Sequence, residues 1–199
     1  MNVEPPETLV IIESIVYKSN GFAISMLQNI SNTEDALIEE ILKRWQPRSS
    51  RCGRLVQRFD SVLHWHYSVA LSDASAIGWG PERSGSPSDR GRLAIEKLGD
   101  NFHDALKVPY LDRSAILTNL IASVPAFHEQ WNYGVQGWNC EHWARLVTTG
   151  QPISYQIKHQ GFGIFDLFGT LYNRGEAIAH LNGHRDYATQ RIRAIADNG

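Results

Sequence analysis

The segment Gln136–Gly150, QGWNCEHWARLVTTG, constrains this chain more than any other. Asn139 suits a helix N-cap, because its side-chain oxygen can accept from the unpaired N–H groups of a first turn. Cys140 then falls at the first helical position. Trp143, Ala144 and Val147 follow at helical spacing, which places Cys140 in line with an apolar, inward face. Gly150 and Pro152 stop the helix. A cysteine so placed sees the positive end of the helix dipole, which favours thiolate. Glu141 opposes that slightly, since a neighbouring carboxylate disfavours a second negative charge.

A buried cysteine is most often packing, so the rest of the chain decides what Cys140 means. The chain has 199 residues, enough for one ordinary domain with appended elements, and 42% of them are apolar. A formal net charge of −2 gives no reason to expect nucleic acid as a partner. Two cysteines, Cys52 and Cys140, imply no disulfide framework and fit a reducing, cytoplasmic setting. The first twenty residues lack a basic start, and Glu13 breaks their apolar run, so neither a signal peptide nor a membrane span is expected.

Read in order, Thr8–Tyr17 and Gly21–Ile30 have strand composition around a Ser19-Asn20-Gly21 turn. Thr33 caps a helix whose apolar stripe is Leu37, Ile38, Ile41, Leu42 and Trp45, ending before Pro47. Arg54–Phe59 reads as a strand. Leu63–Asp73, LHWHYSVALSD, is a strand followed by a turn. Its period of two puts His64, His66 and Ser68 on one face and Trp65, Tyr67 and Val69 on the other. Two histidines on one face are unusual in a plain core strand. Ala74–Trp79 and Arg92–Leu98 are further strands, separated by a Gly/Ser/Pro-rich loop over 80–91. Asn101–Arg113 reads as irregular and Ser114–Val124 as a helix. Ile153–Ile157 is expected as a final strand, and Phe162–Asn198 as one or two helices. The expected fold class is α+β, a small antiparallel sheet packed on helices.

The run Asn139-Cys140-Glu141-His142-Trp143 resembles the Asn-Cys-Glu-His-Phe signature of the lecithin:retinol acyltransferase-like (LRAT-like) family. His66–Asp73, HYSVALSD, resembles that family's His-Tyr-x-Ile-Tyr-x-Gly-Asp strand and turn, and Tyr133 matches a further family position. The resemblance covers Arg51 to Ile157. It implies a permuted papain-like fold in residues 51–159; residues 1–50, read as an N-terminal attachment, and 160–199, read as a helical tail, have no counterpart in it. It also implies that Cys140 is a nucleophile, that His66 takes its proton, and that an acyl-cysteine intermediate passes its acyl group to an alcohol, an amine or water. Lipid acyl chains are the expected donors, and no cofactor or metal is implied.

One position departs from the family pattern. Twelve residues after His66, where family members carry a second histidine that orients the first, this chain has Gly78. Glycine orients nothing, which predicts slow turnover and a gain of rate in Gly78→His. His64, on the same strand face as His66, is the candidate substitute, with Asn139 and Tyr133 as further supporting residues. Two other readings compete. His64, His66, Cys140 and His142 could ligate zinc, but Cys140 and His142 lie two apart on a helix and so face apart. Alternatively the fold serves as a weakened or inactive module that binds a protein or a membrane surface. The aromatic tail, with Phe162, Phe165, Phe168 and Tyr172, would be its contact surface.

Overall fold

The computed structural model describes residues 33–61, 64–81, 90–132, 138–155 and 174–197. The chain divides into two compact units, Met1–Leu37 and Ile38–Gly199. Of the first, residues 33–37 are described and are helical, the start of a helical run, α1, over 33–44. The two strands expected before residue 31, Tyr133, and the tail aromatics up to Tyr172 lie outside the described residues.

The second unit is α+β, as the sequence pattern predicts. Five strands, β1 (Leu55–Ser61), β2 (His64–Ala70), β3 (Ser75–Pro81), β4 (Gly91–Lys97) and β5 (His103–Asp104), form one sheet in the order β4-β3-β2-β1-β5. All neighbours are antiparallel. The β2–β3 turn is closed by Ser72, whose hydroxyl accepts from the backbone N–H groups of Ala74 and Ser75. Asp73 beside it accepts from Ser50 and from the backbone of Arg51, which pins the entry to β1 against this turn. The two-residue β5 lies in a stretch that reads as irregular, because two residues are too few for an alternating pattern to show. Its pairing with Val56 and Gln57 is what reveals it.

Helices cover the sheet. α2 (Arg113–Phe127) starts at Asp112, whose carboxylate accepts from the Ala115 N–H at 2.8 Å. It runs through Pro125, three residues beyond the expected end, before its last turn closes at His128. α3 (Cys140–Thr149) packs on β2 and β3 and touches α2. Gly150 ends it with φ +72°, a left-handed conformation that favours glycine. Two further helices, α4 over 174–183 and α5 (Arg185–Ala196), close the described chain. α5 packs on α2, where Arg185 donates two hydrogen bonds to Asn119 at 3.1 and 2.8 Å. Ala177, Leu181 and Ala188 are buried there, so the C-terminal helices belong to the core of this unit.

The final strand expected at Ile153–Ile157 is absent over its described part. Residues 151–154 are irregular and Tyr155 is helical. Ser154 turns its hydroxyl to Glu141 at 2.9 Å, so this segment braces the start of α3 instead of extending the sheet.

Candidate active site

The cysteine end of the site is built from nearly contiguous residues. Asn139 Oδ1 accepts from the N–H groups of Glu141 and His142, each at 3.1 Å. His142 Nδ1 lies 3.0 Å from the same oxygen and 3.4 Å from the Asn139 nitrogen, completing a reciprocal cap. His142 is therefore part of the helix start, turned to its cap, with its ring tilted against that of Trp138. Glu141 is fully buried. Arg145, one turn later, donates to it at 2.8 Å, and Ser154 holds its other oxygen. The buried carboxylate beside the cysteine is thus neutralised by a guanidinium before it can oppose a thiolate.

Cys140 is buried at the head of this helix, with its Sγ 3.7 Å from the carbonyl oxygen of Trp65. Its side chain also lies close enough to the His66 imidazole to act on it by hydrogen bonding and charge. Cys140 and His66, 74 positions apart in the chain, are brought together because α3 packs on β2. Burial pushes the His66 imidazole toward its neutral form, but the hydrogen bonds to Cys140 and to Glu96, with their negative charge, outweigh it. The net result is a pKa raised to about 9. Cys52, the other cysteine, is pushed up to about 11, chiefly by burial, which disfavours its thiolate.

The histidine end is assembled across four strands. Register puts Arg58 of β1 opposite His66 of β2, and Gly78 of β3 opposite both Ser68 of β2 and Ala94 of β4. Glu96, two residues beyond Ala94, reaches back over Gly78. Its Oε1 lies 3.1 Å from His66 Nε2 and also accepts from Ser68, while Arg58 donates to Oε2 at 2.7 Å. Burial pushes the Glu96 carboxyl up, yet the hydrogen bond from His66 and its charge, with Ser68 and Arg58, hold it below the usual range.

This overturns the reading of Gly78 as a missing orienting group. A Cβ built there would stand 2.7 Å from His66 Nε2 and 2.9 Å from both Glu96 Oε1 and Ser68 Oγ. The space is filled by a carboxylate from the next strand. His64 is in β2 and pairs with Ser61, but its side chain is not among those described. Glu96 is the site residue that sequence reading missed. The available signal was a glycine inside a strand, which marks close approach by another group.

A cavity of about 440 Å³ opens beside His66 and Glu96. Gly78, Gly80 and Ala94 line it together with the side chains of Arg58 and Arg92. Among the described residues, no cluster of three His, Cys, Asp or Glu side chains is arranged to hold a metal ion, and no helix is long and apolar enough to cross a membrane. The arrangement supplies a cysteine at a helix N-terminus, an imidazole beside it, and a carboxylate bonded to the imidazole, a set of groups that suits thiol-based nucleophilic catalysis. No protein-family model matches this chain, and no curated protein matches it.

Proposed function

We propose that this chain is a cysteine-dependent acyltransferase or hydrolase of the LRAT-like kind, with Cys140 as nucleophile and His66 as base. The contact between Cys140 and His66 carries this reading. In the first half-reaction, the thiolate attacks an acyl carbonyl carbon, the C–S bond forms, and the ester C–O bond breaks. His66 gives its proton to the departing alkoxide. In the second, His66 takes a proton from an alcohol, an amine or water, which attacks the thioester and releases the thiolate. The positive end of the α3 dipole favours the oxyanion that forms at each attack. Asn139 supports the site by shaping the helix start on which Cys140 stands.

Lipid acyl esters are the donors we favour, in a cytoplasmic setting at the edge of a membrane or beside a partner protein. Exposed Tyr187 and Ile195, eight residues apart on α5, support a contact surface at the C-terminal end. The test of that surface is the pair Tyr187→Ser and Ile195→Ser, read by liposome co-sedimentation.

A specific observation favours the second reading, a binding module: Cys140 has no exposed surface, so a carbonyl reaches the sulfur only after the site opens. The experiment that separates the two is intact-protein mass after incubation with a phospholipid or an activated acyl ester. The enzyme reading expects an acyl-sized increment that disappears in Cys140→Ala. No increment with any donor would leave only the binding role.

A further inference from the structure

The side chains around Gly78 go beyond a nucleophile–base pair. Glu96 has both carboxylate oxygens engaged, Oε1 by His66 and Ser68 and Oε2 by Arg58. Arg58 is itself held, by Asp60 at 2.9 Å and with its guanidinium 5.1 Å from the Phe102 ring centre. A carboxylate fixed at three points cannot swing away from the imidazole without giving up a charge-assisted hydrogen bond. Glu96 reaches His66 from β4 across the position of Gly78, which has no side chain. The three atoms nearest to a Cβ built there, each within 3.0 Å, are all side-chain ends. A small residue at 78 presses on those ends first, so the His66–Glu96 contact cannot survive unchanged.

We propose that Gly78 and Glu96 together replace a single orienting side chain, and that Glu96, seated by Ser68 and Arg58, is the positioning residue for His66. This rests on the assignment of His66 as the base at Cys140. The chemical consequence is specific. A carboxylate stabilises the imidazolium and fixes which ring nitrogen faces the sulfur, which keeps the ring in the state that the thiolate needs. The charged groups that bear on His66 are Cys140 from α3, Glu96 from β4 and, through Glu96, Arg58 from β1. Arg92 of β4 lines the same cavity and is paired with Glu129 at 2.8 Å.

The test is the pKa of His66, read by NMR titration of its ring in the full-length protein, alongside the rate of acylation at Cys140. Glu96→Gln and Gly78→Ala should each move the His66 pKa down from about 9 toward the ordinary value. Each should slow acylation by about 10²-fold. Ser68→Ala provides a milder version should Glu96→Gln fail to fold, and Arg58→Lys, which keeps the charge, should retain more rate than Arg58→Gln. A His66 pKa and a rate unmoved by Gly78→Ala, or a pKa unmoved by Glu96→Gln, would overturn the proposal. If wild-type protein never acylates but the His66 pKa still falls in both variants, the positioning role stands and the acyl-enzyme reading fails.

Discussion

The two ends of the site are built by opposite means. The cysteine end comes mostly from local sequence: Asn139, Cys140, Glu141, His142 and Arg145 lie within seven positions, with Ser154 and the Trp65 carbonyl added from elsewhere. The histidine end draws Arg58, His66, Ser68, Gly78 and Glu96 from four strands, and its longest bond spans 38 positions. A locally built end depends on helix-start chemistry and forms wherever α3 forms. A cross-strand end depends on register, so a single added Cβ can undo it while the sheet survives. Damage to the scaffold around Cys140 should therefore appear as lost stability, and damage to the second end as lost function.

The largest effect expected is at the cysteine end. Glu141→Ala removes one partner of a buried ion pair and leaves Arg145, 13% exposed, without its carboxylate. Denaturant unfolding should show a loss of about 3–5 kcal/mol. Next, Gly78→His should slow acylation by at least about 10²-fold, with the melting temperature less affected than in Glu141→Ala, because the imidazole would displace Glu96 from His66. A faster enzyme would restore the reading of Gly78 as a vacancy.

A third effect is pH-dependent. The Glu96 pKa is lowered in the folded protein, so its contribution to stability is present above its ordinary value of 4.5 and lost as pH falls through the folded value. The His66 pKa is raised, so its contribution is complete below 6.5 and lost as pH rises through about 9. The stability difference between wild type and Glu96→Gln should thus peak between pH 4.5 and 6.5, at about 1.5 kcal/mol, and shrink on both sides. A difference that stays flat from below pH 4.5 to above pH 9 would mean that the two groups are not coupled. The smallest effect is Asn139→Ala, which should cost about 1 kcal/mol in denaturant unfolding through loss of the cap.

The same contrast explains what could be read from the chain. The helix start at Asn139, its stop at Gly150 and the two-sided pattern of β2 are local signals with fixed spacing, and each element is found where they point. The α+β class follows from the same kind of periodicity. Glu96 was illegible because nothing within Gly91–Lys97 marks it as anything but a solvent-facing strand residue. Its role exists only once β3 and β4 are in register and residue 78 lacks a side chain. Ile153–Tyr155 misled for the related reason that its apolar and aromatic residues suit a strand, while Ser154 is claimed by the buried Glu141.

The central claim, that Cys140 is activated by its helix start and by His66, is tested most directly by alkylation with a small thiol reagent across pH. Cys52, held at about 11 by burial, is the internal reference. The account predicts that the Cys140 rate rises with an inflection below the free-thiol value of about 8.5. That inflection should move upward in His66→Ala, while Cys52 stays unreactive until much higher pH. Matching profiles for the two cysteines, or a Cys140 inflection indifferent to His66→Ala, would contradict it.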